Sequence, residues 1–143
     1  MNMKSNENNI YDEWNNIKKR TQKKEFKLTV KPREIYWVKI GKNRGSEEHG
    51  KDKDFTRPVI IIRRLTYDLF LGVPLTTTIK NNDYFHSFSY INKTRGKIDN
   101  SAMILQLKTF SIKRVMNKIG KINKDDFEII VDKLKEIVTP PIK

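Results

Sequence analysis

The chain has 143 residues, of which 36% are hydrophobic, and this length supports one modest core in a single domain. Its 30 Lys and Arg residues outnumber its 17 Asp and Glu residues, so the formal net charge at pH 7 is +13. The absence of cysteine excludes a disulfide framework and a thiolate zinc site, and 2 histidines are too few for a histidine-rich metal cluster. We therefore expect neither a metal nor another cofactor.

The excess of positive charge favours a polyanionic partner. Nucleic acid is the first candidate, because Lys and Arg side chains that neutralise phosphates release condensed counterions. An acidic protein would fit the same field. Since lysine-rich surfaces also occur on proteins that bind no polyanion, the charge alone leaves these interpretations open.

The N-terminal segment differs in pattern from the rest of the chain. Residues 1–9 are polar and predicted to be disordered, and apolar residues at helical spacing predict an amphipathic helix over residues 10–24. Alternation over residues 26–30 predicts a connecting strand, which completes a 10–31 segment. No apolar run approaches the roughly 18 residues of a membrane span, so we expect a cytoplasmic protein with no membrane partner.

Segments rich in β-branched and aromatic residues predict further strands. These segments cover residues 35–40, 58–62, 69–75, 86–91, 102–107 and 119–122. The continuous apolar run at 58–62 is typical of a strand buried on both faces. The predicted connections include a polar loop at 41–56, a turn at Tyr67 and Asp68, and a basic connection at 92–100.

The C-terminal part of the chain predicts the most regular helix. Asn123 and Asp126 form a capping pattern, and apolar residues then recur at helical spacing until Pro140. Ser111 can cap a shorter helical turn that runs through Met116. Together the elements predict a mostly β (α+β) fold, a small and strongly bent sheet or barrel closed by a C-terminal helix.

Five sequence blocks occur in an order that resembles one protein family. The blocks are Ile35-Tyr36-Trp37-Val38, Gly45-Ser46-Glu47-Glu48, Arg57-Pro58-Val59-Ile60-Ile61, Val73-Pro74-Leu75-Thr76-Thr77 and Leu105-Gln106-Leu107-Lys108-Thr109. Over residues 32–138 the chain is similar to MazF/PemK-type toxins, which leaves residues 139–143 as a tail. The resemblance implies an SH3-like small barrel of the MazF/PemK/CcdB type and a homodimer. It also implies a sequence-specific endoribonuclease (mRNA interferase) that an acidic antitoxin neutralises, with operator DNA bound only when antitoxin is present.

The same resemblance assigns candidate site residues. Arg57 matches the family's catalytic arginine, and Thr76 matches its catalytic threonine. Ser46 and Glu47 match polar positions on a loop of the catalytic site, while Gln106 matches a glutamine that faces the site. The resemblance thus implies a catalytic group drawn from several blocks.

Cleavage of RNA by its own 2′-hydroxyl requires a base, a group that stabilises charge on the phosphoryl oxygens, and an acid. A guanidinium can hold two phosphoryl oxygens at once, so Arg57 suits the stabilising role. The Thr76 hydroxyl can donate a hydrogen bond to a phosphate oxygen, with Thr77 beside it. Glu47 can act as the base only if its pKa rises from about 4.3 toward neutrality. Because the substrate supplies the nucleophile, no metal is needed.

Basic side chains flank this predicted site. The candidates for binding single-stranded RNA, including mRNA, are Lys42, Arg44, Lys51, Lys53, Lys80 and Arg95, with Lys93 and Lys97 nearby. Tyr84, Phe85 and Tyr90 are available to stack on splayed bases. The loop after Glu48 is longer and more charged than the family's short glycine-rich link, and its His49 has a reference pKa that suits acid–base chemistry.

Two other functions stay open at this point. A CcdB-like protein could poison a topoisomerase through contacts of its C-terminal helix, although that mode needs neither Arg57 nor Thr76. A regulator could keep the barrel and bind nucleic acid without cutting it. Incubation with RNA distinguishes the three functions. An endoribonuclease cuts the RNA, a topoisomerase poison does not bind it, and a regulator binds it without cutting.

Overall fold

The computed structural model describes residues 29–42 and 54–142. The predicted disordered segment at 1–9 and the predicted helix at 10–24 lie outside these residues, as does most of the polar loop. These predictions therefore stay predictions.

Antiparallel strands and one C-terminal helix form the described part of the chain. In chain order the strands are β1 (Glu34–Lys42), β2 (Asp54–Arg64), β3 (Leu69–Thr76), β4 (Phe85–Asn92), β5 (Gly96–Met103), β6 (Lys108–Ser111) and β7 (Val115–Lys121), and the helix is α1 (Lys124–Val138). The strands pair in the order β4-β5-β3-β2-β1-β7, and β6 pairs with β3. The predicted mostly β fold with a C-terminal helix is confirmed.

Strand β2 lies at the centre of the core because both of its faces are buried. Ile60 packs with residues of β3, β4 and α1 on one side, whereas Val59 and Ile61 pack with aromatic rings of β3 and β6 on the other. All three side chains are inaccessible to solvent. This arrangement confirms the prediction for the apolar run at 58–62, and it anchors the strand that carries Arg57.

The polar loop predicted at 41–56 was too long at both ends. Strand β1 continues to Lys42 and β2 begins at Asp54, and these two residues are paired. At the other end of β1, residues 29 and 30 form no strand, so the connecting strand predicted at 26–30 is wrong where it can be seen. The strands therefore extend further toward the loop than composition indicates.

The β4–β5 connection is a tight turn, as the glycine in the basic connection predicted at 92–100 suggests, but it is shorter than predicted. Strand β4 ends at Asn92, which pairs with Gly96, the first residue of β5. Gly96 has a φ of 78°, the left-handed conformation that closes a three-residue hairpin turn. The side-chain oxygen of Asn92 accepts hydrogen bonds from the backbone N–H groups of Thr94 (2.9 Å) and Arg95 (3.1 Å). A side chain of β4 thus holds the turn.

The strand predicted at 102–107 ends early. Strand β5 stops at Met103, and Ile104–Gln106 form a 3-10 turn before β6 begins. Within this turn Ile104 is fully buried, whereas Leu105 is 62% exposed. The apolar run looked like a strand because its composition is the same in either conformation.

Helix α1 begins as the capping pattern predicts. The side-chain oxygen of Asn123 accepts a hydrogen bond from the backbone N–H of Asp126 over 2.8 Å. Ser111 caps a shorter 3-10 turn, Ile112–Arg114, in a similar way, but β7 begins directly after it at Val115, earlier than predicted. No helix in the described residues is long and apolar enough to cross a membrane.

Glu34, the first residue of β1, forms hydrogen bonds with the preceding segment, with β1 itself and with β7. Its carboxylate accepts hydrogen bonds from the backbone N–H of Lys31 (2.8 Å), the Tyr36 hydroxyl (3.0 Å) and the Lys118 ammonium (3.0 Å). Burial raises the pKa of Glu34, but these hydrogen bonds, led by that from Lys118, lower the pKa overall below its ordinary value of 4.5. The ionised Glu34 carboxylate therefore contributes its full share to folding stability above the ordinary pKa. This contribution is lost as the pH falls through the lowered pKa of the folded protein.

Replacing Glu34 with glutamine tests this linkage. We expect Glu34→Gln to lower the thermal unfolding midpoint near neutral pH, because the charged hydrogen-bond acceptor is lost. The difference from wild type is expected to shrink as the pH falls below 4.5 and through the lowered pKa, because the wild-type carboxylate then becomes protonated as well. Melting curves over this pH range measure the difference, with Asp132→Asn on the exposed side of α1 as the control. An equal difference at every pH would contradict the assignment.

Candidate active site

The candidate site lies where β3 changes its sheet partner. Strand β3 pairs with β2 up to Pro74, opposite Val59, and then pairs with β5 through Leu75 and Thr76. Pro74 has no backbone N–H to donate, which suits a point where the ladder changes. Continuing the β2–β3 register past Val59 and Pro74 by two residues places Arg57 opposite Thr76.

Two contacts hold the guanidinium of Arg57. Its Nη1 donates a hydrogen bond to the carbonyl oxygen of Leu75 over 3.2 Å, and its central carbon lies 4.9 Å from the centre of the Phe55 ring. Leu75 directly precedes Thr76, so the guanidinium is bound at the end of the strand that carries the threonine. Within the part of the chain that the structure describes, no carboxylate forms an ion pair with Arg57.

A cavity of about 250 Å³ includes both residues in its wall. The residues that line it are Trp37, Phe55, Thr56, Arg57, Pro58, Leu75, Thr76, Thr77, Tyr90, Asn92, Arg95, Ile98 and Asn100. None of these described lining residues is acidic, while two of them are arginines. The wall therefore combines positive charge with aromatic surface, the two features that bind phosphate and base together.

The end of β3 presents two threonines to this cavity. Thr76 is half-buried and Thr77 is exposed. The Thr76 hydroxyl oxygen accepts a hydrogen bond from the backbone N–H of Thr78 over 3.3 Å, and its own proton can still be donated. Further along, the Lys80 backbone N–H donates to Ser101 Oγ (2.9 Å), and this hydroxyl donates to the Lys80 carbonyl oxygen (3.1 Å). The double link fixes the segment that follows β3.

The predicted basic residues do not all meet at the cavity. Arg95 lines it, whereas Lys80 does not, since its ammonium lies 5.0 Å from the centre of the Phe85 ring. Lys42 ends β1, and its side chain lies outside the described part of the chain. The remaining predicted loop residues also lie outside it: Ser46, Glu47, Arg44, His49, Lys51 and Lys53.

The prediction that Gln106 faces the site stays a prediction, and the structure does not place this residue in the described cavity. Gln106 is exposed at the end of the 3-10 turn between β5 and β6, and it is absent from the lining of the described cavity. The predicted strand at 102–107 would have kept it in line with β5. Because the backbone turns at Ile104 instead, the side chains that follow leave the strand face.

The β4–β5 hairpin forms one wall of the cavity. The sequence identified Tyr90 and Arg95 as candidates in this hairpin, but not the other residues that line the wall. Asn92 follows Tyr90 on the same face of β4, and Ile98 and Asn100 alternate in the same way on β5. Burial raises the pKa of Tyr90, opposed by a hydrogen bond with Asn92 and by the charge of Arg95. Alternation alone marks these residues as sharing a face, but only the non-local pairing of β5 with β3 shows that this face borders the site.

His86 links β4 to the start of α1 and does not line the cavity. Its Nε2 lies 2.8 Å from Asp126 Oδ1, and the ring is buried against Phe88 with the ring centres 6.4 Å apart. Among the described residues, no group of three or more His, Cys, Asp or Glu side chains is arranged to hold a metal ion.

Comparison with known proteins decides the family of the chain. The model of the PemK-like, MazF-like toxins of type II toxin-antitoxin systems matches residues 31–138. The chain is a PemK/MazF-family toxin. This match confirms the resemblance that the five sequence blocks carry. No curated protein sequence matches this toxin.

Solved structures of other toxins share the fold of this PemK/MazF-family toxin. The Mycobacterium tuberculosis toxin MazF-mt6 superposes with a TM-score of 0.54 at 15% identity, over 74% of this chain and 96% of that chain. A mycobacterial endoribonuclease in complex with its cognate antitoxin gives 0.60 at 13% identity, over 80% and 100%. The MazE–MazF complex of Deinococcus radiodurans gives 0.56 at 10% identity, over 78% and 96%. At these identities the likeness shows the fold alone.

Proposed function

We propose that this PemK/MazF-family toxin is an endoribonuclease that cuts single-stranded RNA, including mRNA, at particular base sequences and without a metal ion. The observation that carries the proposal is the meeting of Arg57 and Thr76 in a positively charged cavity. The description of a similar mycobacterial protein as an endoribonuclease supports the same activity.

In the proposed reaction, the 2′-hydroxyl of one nucleotide attacks the adjacent phosphorus. A bond forms between this oxygen and phosphorus, and the bond from phosphorus to the 5′-oxygen breaks. The leaving oxygen takes a proton from water, so the products are a 2′,3′-cyclic phosphate and a 5′-hydroxyl. Negative charge builds on the phosphoryl oxygens, where the planar guanidinium of Arg57 can bind two of them. Its contacts with Leu75 and Phe55 hold it in place before the substrate arrives, so little reorganisation is needed.

Thr76 donates a hydrogen bond to a phosphoryl oxygen, with Thr77 as a neighbouring donor. A threonine hydroxyl is too weak an acid to protonate the leaving oxygen, so its role is binding and positioning. Glu47 is the proposed base, with Ser46 beside it. Strand β2 begins near the cavity, since Phe55 lines it. The loop that carries Glu47 and Ser46 directly precedes this strand in the chain.

The positive charge around the cavity also suits the proposed partners. Arg95 on the cavity wall, and the predicted basic residues of the loop, would bind RNA phosphates. An acidic antitoxin segment that covered the cavity would exclude RNA, and the antitoxin complexes of two similar toxins support such a partner. We further propose a homodimer, and binding to operator DNA only in the antitoxin complex.

Replacing Thr76 with valine tests the function and the threonine together. Valine keeps the branched shape and removes the donor, so single-turnover cleavage of a labelled RNA in EDTA is expected to slow by about 10- to 100-fold. Thr78→Val is the matched control, since Thr78 does not line the cavity, and its rate is expected to stay within about twofold of wild type. Equal rates for Thr76→Val and wild type would contradict the role of Thr76, and an inactive wild type would contradict the function.

A further inference from the structure

Asn100 places a polar group in the cavity wall without a partner. Its side chain is 3% exposed, and the residue lines the cavity together with Thr76 and Thr77. Its Oδ1 is buried and accepts no hydrogen bond. A buried acceptor without a partner costs stability, because the hydrogen bonds it makes with water in the unfolded chain are not replaced.

A second asparagine of the same hairpin shows how such a side chain is usually satisfied. Asn92 is also buried, but its Oδ1 accepts hydrogen bonds from the Thr94 backbone N–H (2.9 Å), the Thr94 hydroxyl (2.9 Å) and the Arg95 backbone N–H (3.1 Å). The burial of the Asn92 amide is therefore accounted for by its hydrogen bonds in the turn. Asn100 pairs with Phe88 in the middle of the hairpin and holds no turn, so the fold does not account for its amide.

The surroundings of Asn100 indicate a nucleobase as the missing partner. The cavity brings the rings of Trp37 and Tyr90 and the charge of Arg57 near the same amide. Aromatic rings stack on bases, guanidinium groups bind phosphate, and an asparagine carboxamide reads the edge of a base. The unpartnered atom is an acceptor, so the matching group is an N–H donor. Adenine, cytosine and guanine present such a donor as an exocyclic amino group at the edge of the base, whereas the ring N–H of uracil lies between two carbonyl oxygens that would repel the same acceptor.

We propose that Asn100 reads one base of the RNA by accepting a hydrogen bond from an exocyclic amino group, and thereby sets one position of the cleavage sequence. This inference rests on the proposed RNA-cutting function. Since Oδ1 is covered in the free protein, the carboxamide turns toward the cavity when the base binds. Arg57 and Thr76 bind the phosphoryl oxygens as proposed above, and Asn100 selects the base that binds next to them.

A selection experiment tests this assignment without requiring cleavage. A random pool of 2′-fluoro RNA octamers, in which no 2′-hydroxyl can attack, is incubated with the full-length protein, and the bound fraction is sequenced. Wild type is expected to enrich amino-bearing bases over uracil at one position by about tenfold. Asn100→Leu is expected to lose this preference and keep the others. Asn100→Asp, which has acceptors but no amide donor, is expected to keep the preference for amino-bearing bases.

Asn81→Leu is the matched control, because Asn81 is exposed, its side-chain oxygen accepts a hydrogen bond from Lys133, and the residue does not line the cavity. Its selected sequences are expected to equal those of wild type. Thermal unfolding accompanies the selection, and Asn100→Leu is expected to melt at or above the wild-type temperature since it removes a buried unpartnered acceptor. Unchanged base preference in Asn100→Leu, loss of the preference in Asn100→Asp, or uracil at the enriched position would overturn the inference. Selective binding by a wild type that cuts no RNA would overturn the proposed function and leave the base assignment standing.

Discussion

Replacing Arg57 with alanine is expected to slow RNA cleavage by about 100- to 1000-fold. The guanidinium is the charged group placed beside Thr76 through its hydrogen bond to Leu75, and none of the described residues that line the cavity is lysine. Its loss would leave the charge on the phosphoryl oxygens without its main partner in the transition state. Single-turnover cleavage of a labelled RNA measures the effect, because this rate does not depend on product release.

Two further variants make this test specific. Arg63→Ala removes an exposed arginine from the same strand, outside the cavity, and is expected to cut at nearly the wild-type rate. Arg57→Lys keeps the charge but loses the planar fork and the stacking on Phe55, so only part of the rate should return. If Arg57→Ala and Arg63→Ala cut equally well, Arg57 does not stabilise the reaction.

Replacing Ile60 with alanine is expected to lower the free energy of unfolding by about 2–5 kcal/mol. Ile60 is fully buried on β2, between Ile35 of β1 and Val73 of β3. Truncation removes apolar contacts and leaves a cavity that the surrounding strands cannot fill. Urea denaturation followed by circular dichroism measures the change.

Ile91→Ala is the matched control for this substitution, since Ile91 also lies in a strand but is 67% exposed. Its free energy of unfolding is expected to change by less than about 1 kcal/mol. Similar losses for both variants would contradict the central position of β2 in the core. Because β2 carries Arg57, loss of its packing would also displace the site.

The sequence predicted those parts of the fold that depend on local pattern. The apolar run at 58–62 identified a strand buried on both faces, and Asn123 marked the start of α1. The resemblance assigned Arg57 and Thr76 to the site, and the structure places both of them in the wall of one cavity. The two fold predictions rest on patterns within short segments, and the site prediction rests on the resemblance.

The parts that the sequence did not predict depend on pairing between distant segments. The run at 102–107 has a strand composition, yet the chain turns at Ile104, and this change removes Gln106 from the cavity lining. Asn100 has no distinguishing neighbours in the sequence, and its place in the site follows from the pairing of β5 with β3. Alternation shows which residues share a face but not what that face borders.

The chemical form of the RNA ends reports directly on whether the 2′-hydroxyl attacks the phosphorus. Purified protein is incubated in EDTA with a long single-stranded RNA, and the termini of the fragments are identified by mass spectrometry and by sequencing of their 5′ ends. We expect fragments with 2′,3′-cyclic phosphate and 5′-hydroxyl ends, cut at one recurring base sequence, and far fewer such fragments with Arg57→Ala in the same time. Intact RNA with the wild-type protein, or 5′-phosphate ends, would contradict it.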